Sequence, residues 1–283
     1  MTGTLFLCAT PIGNLSDITP RVLDTLREVD MIAAEDTRNS IKLLNHFEIK
    51  TPMTSYHEYN KIEKADQIIA WLQSGKNIAL ITDAGTPAIS DPGEVLVSKC
   101  QEAGVPVTSL PGCCALITAL TLSGLPTRRF CFEGFLPADK KEKKFILEEL
   151  QKETRTIILY EAPHHLKRTL AELYEMLGER RITLCRELTK KFETVFPTTL
   201  EAALCYYEEN EPKGEYVLVL EGKNRQQILL DKQEEWEKIT LEEHMKIYED
   251  QGLNRKESMK KVASDRGLSK RDVYQGLLEN EKS

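Results

Sequence analysis

The chain has 283 residues, which at roughly 100 to 200 residues per domain excludes one short domain and suggests two with a small appendage. Its 41% hydrophobic and 29% charged residues exclude the low-apolar composition of a disordered chain and supply a real core. With 38 Lys and Arg against 45 Asp and Glu, the net charge of -7 excludes a broadly basic, nonspecific binder of nucleic acid or membrane and by itself favours a small-molecule enzyme. Seven cysteines form no Cys-x-x-Cys pair and no regular framework, so reduced thiols, no metal site and a cytoplasmic location are expected. The first eight residues lack the pattern of a secretion signal, and no run nears the roughly 18 apolar residues of a membrane helix. No membrane association is expected.

Residues 4–9 read as a buried strand followed by a turn. Thr19 and Pro20 then supply an N-cap and a preset first residue for a helix that buries Val22, Leu23 and Leu26. Strands are expected at 31–34 and 53–56, with a short helix at 40–47 between them. Ile62, Ala65, Ile68, Ile69 and Leu72 recur at helical spacing over 62–72, and Gly75 sits where a C-cap belongs. A strand at 77–82, a helix at 94–102, a strand at 105–109 and a helix at 115–122 complete a mainly parallel sheet covered by helices. The breaker cluster at 123–127 marks a boundary. Beyond it a second alternation begins, more mixed in strand direction, with strands at 130–134, 156–160, 182–186 and 216–220 and helices at 143–150, 165–177 and 200–208. The polar stretch 224–238 reads as a linker or surface helix, followed by short helices at 241–249, 255–265 and 269–279. The predicted class is therefore α/β, with α/β domains at 1–124 and 125–223 and a linker and small helical domain at 224–283.

In open α/β sheets ligands bind beyond the carboxyl ends of the strands, so the segments just after each strand carry the chemistry. Thr-Pro-Ile-Gly-Asn at 10–14 is a tight turn, but it lacks the glycine spacing of a dinucleotide fold or a phosphate loop. Residues 83–93 crowd Asp83, Asp91, two glycines and two prolines into one strand-to-helix loop. Pro-Gly-Cys-Cys-Ala at 111–115 turns into an apolar helix; its adjacent cysteines are poorly placed for a disulfide and read as small residues lining a ligand. The run from Tyr160 to His165 leaves a strand and starts a helix, and its adjacent histidines read as surface or capping residues.

The segments 10–14, 83–93 and 111–115, with Lys-Gly-Glu at 213–215 and in this order, resemble the tetrapyrrole methylase superfamily of S-adenosylmethionine-dependent enzymes. Ala-Ala-Glu-Asp-Thr-Arg at 33–38, Ser-Tyr-His-Glu at 55–58, Ser-Gly-Leu-Pro-Thr at 123–127, the run from Tyr160 to His164 and the stretch from Arg186 to Glu193 are similar to the branch that methylates a ribose of small-subunit ribosomal RNA, at cytidine 1402 of 16S RNA. The resemblance implies two α/β domains of tetrapyrrole methylase type, a cofactor cleft between them and a homodimer. It implies S-adenosylmethionine contacts from Pro11, Asp83, Gly85, Thr86, Pro87, Ile89, Cys114, Ala115, Glu161 and Gly214. The family usually has Pro-Ser where this chain has Cys113 and Cys114, so a hydroxyl contact there becomes a thiol contact or is lost, and it usually has Arg where His165 stands, which bears on one RNA contact.

Methyl transfer from a sulfonium is an in-line displacement that needs alignment and exclusion of water, without a metal or a covalent nucleophile. A ribose hydroxyl is a poor nucleophile, so a base within hydrogen-bond reach helps, and His57, Glu35 and Asp36 are the candidates. Arg38, Arg186 and Lys190 are the expected RNA phosphate contacts. Between Gly252 and Gln275 seven Lys or Arg face three acids, so the C-terminal helices oppose the overall charge and fit either RNA docking or a solvated bundle. The run 140–144 reads as a solvated helix face. Two alternatives stand beside the RNA methylase: a methylase of a tetrapyrrole or protein side chain, and a ligand-sensing nucleic-acid-binding regulator.

Overall fold

The computed structural model describes residues 2–224, 228 and 233–280. The chain divides into two compact units, Met1–Gln151 with Arg155–Glu221, and Lys152–Thr154 with Gly222–Ser283. Within the first unit, β1 (Leu5–Cys8), β2 (Met31–Ala34), β3 (Met53–Ser55), β4 (Ile78–Ile81) and β5 (Val107–Leu110) form a parallel sheet in the order β3-β2-β4-β1-β5. Its central strands are almost continuously apolar because both faces are covered. Leu5, Leu7 and Leu80 pack with Ile68 and Leu72 of α3 (Lys61–Gln73) and Leu96 of α4 (Gly93–Glu102). Cys8, Ile32 and Ile81 pack on the other face with Val22 and Leu26 of α1 (Pro20–Glu28) and Leu44 of α2 (Thr37–His46).

The expected punctuation is present where it was legible. Thr19 accepts the Val22 N–H, Pro20 is the first residue of α1, and Gly75 closes α3 at a φ of 94°. Two details differ. Ile62 lies in the first turn of α3 and is 58% exposed, because the buried stripe there is Ala65, Ile68 and Leu72. Helix α2 starts three residues before its expected position, because the Asp36 carboxylate accepts the Arg38 N–H and caps it.

The second sheet of this unit contains β6 (Phe130–Phe135), β7 (Thr156–Glu161), β8 (Arg181–Arg186), β9 (Thr194–Thr199) and β10 (Tyr216–Leu220), in the order β6-β7-β10-β8-β9. Only β6 and β7 are parallel; the other pairs are antiparallel. Helices α6 (Lys140–Lys152), α7 (Pro163–Leu177) and α8 (Leu200–Glu209) contribute Leu150, Leu166, Leu170 and Leu200 to the core on one face. The other face receives α5 (Ala115–Leu122), whose Leu116, Ala119 and Leu120 pack with Ile158, Cys185 and Val217. By packing, α5 therefore belongs to the second sheet. Strand β9 escaped prediction because Pro197 interrupts its strand pattern, which an edge position tolerates. Lys143 is a correction to the solvated-face expectation: it is 8% exposed and pairs with Glu172 at 2.7 Å.

In the other unit, α9 (Leu241–Asp250), α10 (Arg255–Asp265) and α11 (Lys270–Asn280) pack around Met245, Val262, Val273 and Leu277. Capping boxes open α9 at Thr240 and Glu243 and α10 at Asn254 and Glu257. Buried His244 stacks on Trp236 at 3.8 Å, and its Nδ1 accepts the Arg266 Nε–H at 3.2 Å. Burial and the Arg266 charge hold this imidazole below the usual histidine range. Residues 225–227 and 229–232 of the expected linker lie outside the described residues. Among the described residues, no helix is long and apolar enough to cross a membrane.

Candidate functional site

Three loops leaving the first sheet are tied together by backbone and side-chain bonds. Thr10 and Gly85 exchange N–H···O bonds at 2.9 and 3.0 Å, joining the loop after β1 to the loop after β4. The Thr86 hydroxyl donates to the Cys113 carbonyl at 2.8 Å, which adds the loop after β5. Within 83–93, Ala88 and Ser90 adopt left-handed backbone at φ of 68° and 64°, a conformation that side chains rarely take without support. Asp91 provides it. Its carboxylate accepts the N–H groups of Ala88 at 2.9 Å, Gly93 at 2.8 Å and Ile89 at 3.3 Å. Burial pushes the Asp91 carboxyl above its ordinary value even against those three donors.

A cavity of about 450 Å³ opens above these loops and is closed on the far side by the second sheet. That size is within the usual range for a small-molecule site. Six carboxylate residues line it: Glu35, Asp83, Asp91, Glu161, Glu187 and Glu215. Glu35 accepts the Thr82 hydroxyl at 2.6 Å, and Asp83 accepts the Asp36 N–H at 3.2 Å and the Asn39 amide at 3.1 Å. Glu161 is 6% exposed and accepts from the Ala162 N–H and the Thr169 hydroxyl. Tyr160 accepts the Leu116 N–H at 3.2 Å, which leaves its own proton free to donate. Burial holds that phenol protonated, with its pKa pushed up to about 12. The rings of Phe132 and Phe135 stand edge-on to Tyr160 at 4.9 and 5.7 Å and supply flat apolar surface.

The cofactor residues expected from sequence largely converge here: Asp83, Gly85, Thr86, Ile89, Cys114, Ala115 and Glu161 all border the cavity. Pro11 borders an adjoining groove instead, and Pro87 is buried beneath its loop and does not border the cavity. Gly214 sits behind the wall, at a φ of 77° with its Cα hydrogen facing Glu187; a Cβ there would lie 2.4 Å from the Glu187 Cγ. Of the three candidate bases only Glu35 borders the cavity. Asp36 is occupied as the α2 cap and in a two-pronged pair with Arg38 at 3.0 and 2.8 Å, which holds its carboxyl down at about 2. His57 lies away from the cavity lining, half-buried, with its Nδ1 lacking a hydrogen-bond partner.

The expected RNA contacts are also rearranged. Lys190 reaches over Gly13 and donates to Glu187 at 3.0 Å and Glu215 at 2.7 Å. Burial lowers its pKa, but the two carboxylates outweigh that effect and keep it above its ordinary value. The same bonds, with the Glu215 N–H, hold Glu187 below the usual carboxylate value despite its own burial. Arg186 donates to the Phe192 carbonyl at 3.2 Å. His164 and His165 are exposed at the start of α7, and Cys113 and Cys114 are free thiols. Sequence inspection missed Glu187, Glu215 and Tyr160 as cavity residues, although all three lie in the quoted motifs; nothing local marks which side chain of a motif points inward.

Residues 4–204 match the family model described as Tetrapyrrole (Corrin/Porphyrin) Methylases, about seven-tenths of the chain. The chain belongs to the tetrapyrrole methylase family. It is 50% identical over 273 residues to "Ribosomal RNA small subunit methyltransferase I" of Bacillus subtilis, covering 96% of this chain and 93% of that protein. Among solved structures it resembles diphthine synthase, with a TM-score of 0.64 at 15% identity, over 78% of this chain and 91% of that one. It also resembles uroporphyrin-III C-methyltransferase from Thermus thermophilus complexed with S-adenyl homocysteine, with a TM-score of 0.54 at 17% identity, over 77% and 97%. At those identities the two structures establish the family's fold in this chain and nothing finer.

The cavity suits the family's cofactor chemically. A sulfonium and an ammonium are cations, and a wall of carboxylates with one neutralised lysine favours them. Tyr160 and Phe135 offer faces for a flat heterocycle.

Proposed function

We propose that this chain is an S-adenosylmethionine-dependent methyltransferase acting on the 2′-hydroxyl of a cytidine ribose, position 1402, in 16S ribosomal RNA of the small subunit. One observation carries the substrate class. The likeness to the Bacillus subtilis ribosomal RNA methyltransferase spans 96% of this chain, whereas the uroporphyrin and diphthine enzymes cover only 77–78% of it. The tetrapyrrole, protein-side-chain and ligand-sensing-regulator alternatives lack that support. Action as a homodimer in the cytoplasm is part of the same proposal.

S-adenosylmethionine, when bound, supplies an electrophilic methyl group. The protein's own part is to hold and align. Asp83, Glu161 and the loop 83–93 would hold the cofactor, with Asp91 keeping that loop in its left-handed turns. Glu35 is the base: it is fixed by the Thr82 hydroxyl and the Asp83 N–H, and its carboxylate takes the proton from the ribose hydroxyl as the oxygen attacks. Tyr160 directs a hydroxyl proton into the cavity and can orient a ligand oxygen. The three loops and the second sheet screen the line of displacement from water.

The test is to incubate the full chain with methyl-labelled S-adenosylmethionine and small ribosomal subunits from cells lacking the modification, then map the label. Label on the ribose of that cytidine is expected. No label in ribosomal RNA overturns the reading.

A further inference from the structure

We propose that the groove between the loop after β1 and helix α2 binds the RNA phosphodiester backbone flanking the methylated ribose, with Lys42 and His46 as its phosphate ligands. This rests on the reading of the chain as an RNA methyltransferase. The groove encloses about 330 Å³ and shares Thr82 and Asp83 with the larger cavity, so the two spaces meet at one ridge. A polynucleotide whose ribose reaches the cavity must lead its phosphates out over such a ridge.

Charge decides which way they lead. Six carboxylate residues face the cavity, and its single ammonium, Lys190, is held by Glu187 and Glu215. Phosphates are repelled from such a wall, which suits a cationic cofactor and not an anionic backbone. Arg38 beside it is likewise paired with Asp36 at 2.8 Å. Lys42 is different: it is exposed and its side chain, among the described residues, makes no ion pair or hydrogen bond. It therefore brings an unpaired ammonium to a groove whose one lining carboxylate, Asp83, sits at the shared ridge and faces Asn39 and the Asp36 N–H.

Helix geometry places the ligands together. Asn39, Lys42 and His46 follow the i, i+3, i+7 spacing of one α2 face, and all three border the groove. Asn39 donates to Asp83 at 3.1 Å and so fixes the ridge. Opposite them, Pro11 and Leu15 form an apolar bank, and Leu15 is 41% exposed with nothing covering it among the described residues. A cationic side facing an apolar one matches a nucleotide chain, which carries phosphate on one edge and sugar and base on the other.

The experiment measures binding of the full chain to unmodified small subunits across a salt series for wild type, Lys42→Ala, His46→Ala, the double variant and Lys42→Arg, with cofactor affinity measured separately by calorimetry. The double variant is expected to bind subunits about tenfold more weakly, with the slope of log K against log salt shallower by about 0.7 to 0.9 for each lost phosphate contact. Lys42→Arg should restore affinity and slope, and cofactor affinity should stay within about twofold of wild type. An unchanged slope and affinity in the double variant, while wild type still methylates ribosomal RNA, would falsify the groove assignment alone. A parallel loss of cofactor affinity would also overturn it, because the groove would then serve the cavity. A wild-type chain that labels no ribosomal RNA brings down the underlying reading and this one with it.

Discussion

The cavity and the groove lie side by side on the same loops, yet they solve opposite electrostatic problems. In the cavity every cation is matched: Lys190 lies between Glu187 and Glu215, and the surplus of carboxylate is left for a positively charged ligand. In the groove, among the described residues, Asp83 is the one lining carboxylate, turned at the shared ridge toward the Asp36 N–H and the Asn39 amide, and the Lys42 ammonium is in no ion pair. Counting charges over a region would have missed this contrast. What matters is which charges remain after the neighbours are satisfied, and a net-acidic chain can therefore hold a phosphate chain beside a cation-binding site.

The comparison can be broken most sharply at the base. Glu35→Gln keeps an acceptor for the Thr82 hydroxyl but cannot take a proton, so kcat should fall by about a hundredfold or more while cofactor affinity changes little. His57→Ala should leave kcat within about tenfold, because His57 does not border the cavity; single-turnover rates that rank the two variants the other way transfer the base role to His57.

Asp83→Ala removes a carboxylate from the ridge that both spaces share. Cofactor affinity measured by calorimetry should drop about ten- to a hundredfold, the loss expected for a charge-assisted contact. An unaltered Kd would place the cofactor's cationic groups elsewhere in the cavity.

Gly214→Ala probes the wall. The left-handed backbone costs about 1–2 kcal/mol with a side chain, and the new Cβ pushes Glu187 away from Lys190. Thermal unfolding should shift down by about 2–8 °C, with weaker cofactor binding. A Tm equal to wild type would show that the Glu187 wall yields without cost.

The smallest change is expected from Arg38→Ala. Its charge is already neutralised on the surface, so the RNA salt slope should move less than in Lys42→Ala. The arginine's hydrogen bonds depress the Asp36 carboxyl to about 2, so whatever stability the pair adds is present above the ordinary carboxylate pKa and lost as pH falls through about 2. In the variant, NMR titration should find Asp36 shifted upward toward its ordinary value; no shift would mean that the Arg38 N–H and neighbouring donors alone set it.

Much of the first unit was legible because its signals are local. The apolar runs of β1, β2 and β4, the Thr19–Pro20 start of α1 and the Gly75 stop of α3 each act within a few residues. The loop 83–93 announced itself through its carboxylates, prolines and glycines, and it does form the floor of the cavity. The misses share a cause too. Strand β9 is polar with a proline because it stands at an edge, and edge position is a property of the assembled sheet. Lys143 resembles its solvated neighbours in sequence but meets Glu172 from α7.

Sequence by itself therefore determined the α/β alternation, the order of the cavity-lining loops and the family motifs, since periodicity, capping and turn chemistry operate over three to ten residues. The tertiary structure alone decided which charges are available. Glu35 meets Thr82 across 47 positions, Lys190 meets Glu215 across 25, and Lys42 meets no partner among the described residues. Neutralisation depends on distances of a few ångströms between residues far apart in the chain, and only folding sets those distances.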